Sequence, residues 1–109
     1  NSDASVKRQG KSSSRPLQDE QTRAMIVASF HFVSAVIVFD EDTPLELIKA
    51  IEPAVLVKGA DYDANEMDKN SKRYIVGSDV VKANGGNVKT IEFLEGFSTT
   101  AIENKIKTA

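Results

Sequence analysis

The apolar stretches of this chain are short and rich in β-branched residues. The clearest is the run at residues 33–39 (VSAVIVF), and residues 54–59 (AVLVKG) and 87–93 (NVKTIEF) form two more. Runs of this length with little polar alternation are typical of strands covered on both faces, as in parallel sheets. We therefore expect three strands of one parallel sheet, with residues 33–39 and 54–59 buried.

Helical segments separate the predicted strands. Apolar residues at helical spacing predict a helix over about residues 17–30, and the run LELIKAIE predicts another that ends at Pro53. Ser78 is expected to cap a short helix that continues to Ala83, and a last helix follows the stretch EGFSTT. Helices and strands thus alternate, which favours an α/β fold with right-handed crossovers.

The first 16 residues, NSDASVKRQGKSSSRP, are polar, basic and rich in serine. This composition predicts a solvated, frayed loop over residues 1–16, with the α/β units in residues 17–109 of a single domain. Because the chain opens on a loop with no strand before it, we expect it to be part of a longer polypeptide. Produced alone, it should be unstable, prone to aggregation and inactive.

Composition excludes several classes of function. Charged residues make up 28% of the chain with a net charge of -2, and aromatics only 6%, so a nucleic-acid-binding surface is not expected. The absence of cysteine excludes disulfide frameworks and thiolate metal sites. No apolar stretch approaches the roughly 18 residues of a membrane span. A soluble, cytoplasmic protein is expected.

Three segments would follow the carboxyl ends of the predicted strands, where open α/β sheets bind ligands. They are FDEDTP, KGADY and EGFSTT. The acids of DEDTP suggest a metal site only weakly, because Thr43 and Pro44 already explain the segment as a helix start. In KGADY, Lys58 and Asp61 flank a glycine. The two residues are either a catalytic or binding pair, or part of a turn in which glycine and aspartate are favoured by the backbone conformation.

The segment EGFSTT combines a glycine with consecutive hydroxyl residues before a helix. Gly96 permits close approach of another group, and the free amides of a helix start carry partial positive charge. Together with the hydroxyl groups of Ser98, Thr99 and Thr100 they suit a triphosphate. The alternative is capping alone, because Thr100 to Glu103 reads as a capping box.

Taken together, NSDASVKR, SRP, VIVFDEDTP, LVKGADY and NGGNVKTIEFLEGFSTT resemble the adenylyltransferase domain of ADP-heptose synthases. These belong to the cytidylyltransferase-like nucleotidyltransferases, and the resemblance covers nearly the whole chain. It implies a Rossmann-like parallel sheet of the nucleotidyltransferase type. The implied reaction transfers AMP from ATP to D-glycero-β-D-manno-heptose 1-phosphate and releases pyrophosphate, in the synthesis of lipopolysaccharide core. Mg²⁺ is implied as the companion of ATP. A sugar kinase, fused or separate, and a homo-oligomer stay open as partners.

The resemblance also assigns roles by position. It implies nucleotide binding by residues on the helix after the basic loop, on the KGADY loop and at the last helix start: Arg23, Asp61, Gly96, Ser98, Thr99 and Thr100. Lys7 is implied as the catalytic cation that neutralises phosphate charge. Asp3 and Arg15 are implied in binding the acceptor.

The chain departs from the family pattern in two places. The H-x-G-H pair that follows the family's first strand is absent, and so are the first two strands. CTP-using relatives carry Arg-Thr-Glu before the Ser-Thr turn, where this chain has Phe93, Leu94 and Glu95. Two alternatives therefore stay open: a CTP-dependent cytidylyltransferase for a polyol or amino-alcohol phosphate, and a non-catalytic nucleotide-binding α/β module.

Overall fold

The computed structural model describes all residues from 1 to 109 and groups them into two compact units, Asn1–Ile51 and Glu52–Ala109. The first unit contains α1 (Asp3–Arg8), α2 (Glu20–Ala28) and α3 (Leu45–Ile51). The second contains β1 (Val55–Gly59), α4 (Ser78–Ala83), β2 (Asn87–Ile91) and α5 (Thr99–Lys107). None of the helices has the length and apolar character that crossing a membrane requires.

Helix α1 lies within residues 1–16, so the prediction of a loop there is wrong. Ser2 caps the helix, its side chain accepting a hydrogen bond from the Ser5 amide at 3.1 Å. Asp3 occupies the first turn, and Lys7 and Arg8 the last, which places each charge favourably for the helix dipole. The sequence contained the signals of a helix: a serine able to cap it, an acid in the first turn and cations in the last turn. The prediction of a loop gave more weight to the serine-rich composition of the segment.

Helix α2 is shorter than the predicted 17–30 because it begins at a side-chain cap. The Asp19 carboxylate accepts a hydrogen bond from the Thr22 amide at 2.7 Å. Hydrogen bonds from Thr22 lower the pKa of Asp19 below its usual value. The prediction that the next helix ends before Pro53 is confirmed, since α3 ends at Ile51 and Glu52 has a positive φ of 50°.

The predicted strand at residues 33–39 is not formed, because the only sheet consists of β1 and β2. The end of this segment is bound by one backbone contact, in which the Ser2 amide donates to the Phe39 carbonyl at 2.7 Å. Its apolar side chains Val36, Ile37 and Val38 are exposed. β-branched residues favour extended backbone, but a strand also needs a partner, and neither β1 nor β2 pairs with this segment.

The second unit confirms the α/β class with parallel pairing. β1 and β2 are parallel neighbours, in register from Val55 opposite Asn87 to Gly59 opposite Ile91. The expectation of a buried strand is wrong for β1, because Val55 and Val57 remain 45% and 47% exposed.

Helix α4 connects the two strands and supplies the core of this unit. Ile75, just before the helix, and Val81 within it are each 1% exposed. The residue that caps α4 is Gly77, with a φ of 88°, and not the predicted Ser78. Gly85, with a positive φ of 82°, follows the helix and ends it.

Candidate functional site

The carboxyl ends of β1 and β2 meet at one edge, which we call the strand-end edge. Gly59 lies opposite Ile91, and the next amide, of Ala60, donates to the Ile91 carbonyl at 2.9 Å. The KGADY turn leaves β1 at this edge and the EGFSTT loop follows β2. The parallel register therefore brings two of the predicted ligand-binding loops to the same side of the second unit.

KGADY forms a tight turn at the end of β1. The Tyr62 amide donates to the Gly59 carbonyl at 3.1 Å. The Lys58 ammonium lies 4.4 Å from the centroid of the Tyr62 ring, within the range of a cation–π contact. The interpretation of the segment as a turn is thus confirmed, and a binding role for Lys58 and Asp61 stays a prediction.

Phe93, which follows β2, packs against the end of β1. A Cβ atom added at Gly59 would lie 2.4 Å from Cε1 and 2.5 Å from Cζ of Phe93, and 3.1 Å from Oδ1 of Asp61. The Cε1–Cζ edge of the ring thus occupies the space that a side chain at position 59 would fill, with the Asp61 carboxylate beside it. Asp61 was a predicted site residue, whereas Phe93 was noted only as a departure from the CTP-using relatives.

The EGFSTT loop leads into α5 through a glycine turn and a serine cap. Gly96 has a φ of 86°, and the Ser98 side chain accepts a hydrogen bond from the Ala101 amide at 3.0 Å. The predicted capping box at Thr100 is therefore wrong, because the cap lies two residues earlier and Thr99 and Thr100 form the first turn. The first amides of a helix have no partner within it, so the start of α5 attracts anions.

A second cluster surrounds Arg23 in the first unit. Its guanidinium forms a salt bridge to Oδ1 of Asp3 at 2.8 Å and donates to the Asn1 carbonyl at 3.0 Å. The Asp3 amide in turn donates to Glu20 at 3.3 Å. Beside this cluster lies a cavity of about 140 Å³, lined by polar groups of Arg23, Asn1 and Glu20 and by apolar residues of α2 and residues 36–38.

The remaining predicted residues of the first unit are Lys7 and Arg15. Lys7 is exposed and lies one helical turn after Asp3, so the two share a face of α1. Arg15 is half-buried in the connection between α1 and α2. The structure thus joins Asp3 to Arg23 in the first unit, with Lys7 one turn further along α1. In the second unit it places Asp61 beside Phe93 at the strand-end edge, and α5 begins later in the loop that follows β2.

The acidic turn at residues 40–42 is bound by α1. Ser2 Oγ donates to Asp40 at 2.5 Å, Ser5 Oγ donates to a main-chain carbonyl of the turn at 2.6 Å, and Arg8 Nε donates to Asp42 at 2.6 Å. The hydrogen bond that Arg8 donates to Asp42 raises the pKa of Arg8. No group of three His, Cys, Asp or Glu side chains is placed to hold a metal ion. The turn therefore anchors α1.

Both units of the chain are similar to known proteins. The family model described as Cytidylyltransferase-like matches residues 1–105. A relative named Bifunctional protein HldE, from Azorhizobium caulinodans, is 49% identical over 108 residues, which are 99% of this chain and 21% of the relative. A protein of the same name from Wolinella succinogenes is 50% identical over 98% of this chain and 20% of the relative. Another, from Campylobacter curvus, is 48% identical over 100% of this chain and 20% of the relative.

The chain thus spans about a fifth of the length of these curated relatives. The matched residues nevertheless span both units, from α1 to α5. Because the family model matches nearly the whole chain, the protein belongs to the cytidylyltransferase-like family and has an α/β nucleotidyltransferase fold.

Proposed function

We propose that this chain forms part of an enzyme that transfers AMP from ATP to D-glycero-β-D-manno-heptose 1-phosphate. The observation that carries the proposal is the strand-end edge, where an aspartate turn and a serine-capped helix start follow neighbouring parallel strands. Open α/β sheets bind nucleotides at such an edge. The identity to HldE proteins supports the heptose phosphate as acceptor.

In this reaction an oxygen of the sugar phosphate attacks the α-phosphorus of ATP in line. A new phosphorus–oxygen bond forms, the bond to the bridging oxygen breaks, and pyrophosphate leaves with its electron pair. No proton has to be removed from an ionised phosphate nucleophile. Positioning and neutralisation of charge therefore supply most of the catalysis.

The start of α5 binds the triphosphate in this proposal. Its unpaired amides and positive dipole end favour anions. Gly96 has the positive φ that a side chain would disfavour, so the loop can turn close to the ligand. Ser98 holds the helix end in place, and Thr99 adds a hydroxyl in the first turn. Thr100 follows it on the same turn, and Asp61 binds the nucleoside.

The basic residues of the first unit act on the phosphates and the acceptor. Lys7 takes no part in an ion pair or hydrogen bond through its ammonium group, so its charge is not already neutralised. The salt bridge to Asp3 orients Arg23 at the cavity beside α2. Arg15 adds positive charge from the loop between α1 and α2. Mg²⁺ enters this proposal as part of the Mg–ATP substrate.

The test uses the complete protein and a panel of substrates. Pyrophosphate release is measured with ATP or CTP, each paired with heptose 1-phosphate, glycerol phosphate or ethanolamine phosphate. ATP with heptose 1-phosphate should react fastest. Faster reaction of CTP with a polyol or amino-alcohol phosphate would replace the proposal with a cytidylyltransferase. Nucleotide binding without pyrophosphate release from any pair would indicate a non-catalytic module.

Lys7 provides a variant for the same assay. Lys7→Ala should lower kcat about 100-fold, the usual cost of removing one donor to charge that develops in the transition state. Lys11→Ala removes the same charge from the exposed loop after α1 and serves as the matched control. If both substitutions lowered kcat equally, the overall positive charge of this region would matter for catalysis, and Lys7 would have no specific role.

A further inference from the structure

Phe93 presents a large aromatic surface at the strand-end edge. Its ring touches Gly59 through the Cε1–Cζ edge, and its side chain is nevertheless 65% exposed. The ring is not needed to fill the core of this unit, because Ile75 and Val81 are the apolar residues buried there. Most of the ring surface is therefore available to a ligand.

Gly59 explains why the ring can lie here. Any Cβ at position 59 would collide with Cε1 and Cζ of Phe93 at 2.4 and 2.5 Å. The same missing side chain leaves the Asp61 carboxylate 3.1 Å from that point. An aromatic ring and a carboxylate thus lie side by side at the end of β1. This pair matches the two needs of a nucleoside, a surface for the base and an acceptor for hydroxyl or amino groups.

We propose that Phe93 is the stacking surface for the adenine of ATP and a determinant of the preference for ATP over CTP. This inference rests on the proposed function for the identity of the nucleotide. A purine covers more of an aromatic ring than a pyrimidine does, so stacking favours ATP. Asp61 accepts hydrogen bonds from the same nucleoside.

The position of the ring is compatible with a triphosphate bound at α5. Phe93 and Ser98 are five positions apart in one loop, so their Cα atoms lie at most roughly 18 Å apart. The loop turns back within that span, because the Phe97 amide donates to the Leu94 carbonyl at 3.4 Å. One nucleotide can therefore place its base on Phe93 and extend its phosphates toward the helix start.

The test measures dissociation constants by calorimetry on the complete protein, with ATP, CTP and inorganic tripolyphosphate as probes. Phe93→Leu keeps an apolar side chain but removes the ring, and should weaken ATP binding roughly 5- to 100-fold. CTP binding should weaken less, and tripolyphosphate binding should not change. Phe93→Tyr keeps the ring and should retain the affinity for ATP.

Gly59→Ala gives an independent variant, because the new methyl group would displace the ring without removing it. It should weaken ATP binding as Phe93→Leu does, and the double substitution should cost no more than either alone. Unchanged ATP affinity in Phe93→Leu would overturn the inference and leave the proposed function intact. Equal loss of tripolyphosphate would also overturn it, since that would indicate a collapsed loop. A wild-type protein that binds no ATP would instead overturn the proposed function.

Discussion

At the scale of single residues, Ser98 has two roles that a sequence pattern cannot separate. Its hydroxyl caps α5 through the Ala101 amide at 3.0 Å, and it stands where the proposal places a triphosphate. The sequence offered three adjacent residues able to cap, Ser98, Thr99 and Thr100. Which one does so depends on the path of the loop after Gly96, whose positive φ is known only from the structure.

Two substitutions at Ser98 separate capping from phosphate binding. Aspartate caps helices as well as serine does, so Ser98→Asp should leave the free energy of unfolding nearly unchanged. Its negative charge beside the phosphates should weaken ATP binding at least about tenfold. Ser98→Ala should instead lower the free energy of unfolding by about 1 kcal/mol. Urea unfolding and calorimetry measure the two effects, and an ATP affinity unchanged in Ser98→Asp would leave capping as the only role of the segment.

At the scale of elements, the first turn of α4 is held to the preceding loop through one carboxylate, while Lys82 in its last turn donates to the Ala64 carbonyl. Lys69 Nζ lies 3.1 Å from Oδ2 of Asp79, and the Tyr74 hydroxyl donates to Oδ1 of the same residue at 3.1 Å. Gly77 caps the helix without a side-chain hydrogen bond, so Asp79 in the first turn supplies the polar attachment. The hydrogen bonds from Lys69 and Tyr74 lower the pKa of Asp79, and Asp79 raises the pKa of Lys69.

This attachment should depend on pH with a definite sign. Because the folded pKa of Asp79 is lowered, its stabilisation is complete above the ordinary carboxyl pKa of about 3.9 and is lost as the pH falls through the folded value. Asp79→Asn should therefore reduce the free energy of unfolding at pH 7, and the difference from wild type should shrink toward pH 3. Denaturant unfolding of the complete protein measures it, with Glu92→Gln as the control. A difference that stays constant with pH would contradict this assignment.

The elements show where sequence patterns suffice. The helices and strands of the second unit were predicted because their ends carry local signals, such as Gly85 after α4. Residues 33–39 were predicted as a strand because β-branched residues prefer an extended backbone. Composition does not show whether a partner strand is present, and here there is none. Helix α1 was missed although Ser2 and Asp3 marked its start, since a serine-rich, basic stretch is also typical of loops.

At the scale of the whole molecule, many large apolar side chains are exposed. Met25, Phe32 and Ile37 in the first unit are 70%, 73% and 51% exposed, and Leu94 and Phe97 in the second are 74% and 78% exposed. Scattered apolar side chains are common on protein surfaces, but several close together favour association. Residues 36–38 present three in succession in a segment that pairs with neither strand of the sheet.

Residues 1–109 produced alone should therefore bind the dye ANS and self-associate. Ile37→Lys places a charge in the unpaired segment and should reduce both the ANS fluorescence and the mass measured by light scattering. Lys72→Glu, on the exposed loop before α4, controls for a change of charge alone. A monodisperse wild-type chain with no ANS signal would contradict this prediction.

The site was predictable only as far as general rules reach. The rule that ligands bind beyond the carboxyl ends of parallel strands indicated the loops that contain Asp61 and Ser98. The contact between Phe93 and Gly59 depends on the register of β1 against β2, which no local pattern encodes. The link between Asp3 and Arg23 likewise joins two helices whose packing is set by tertiary structure.

The close fit of Phe93 against Gly59 restricts the order in which these two positions can change during evolution. Alanine at position 59 is harmful while the ring is present, because it displaces the ring, and becomes tolerable once position 93 has a smaller or more flexible side chain. A lineage that alters both positions is therefore expected to alter position 93 first. The two sites are therefore expected to be epistatic, so that the same mutation at position 59 has different costs in different backgrounds.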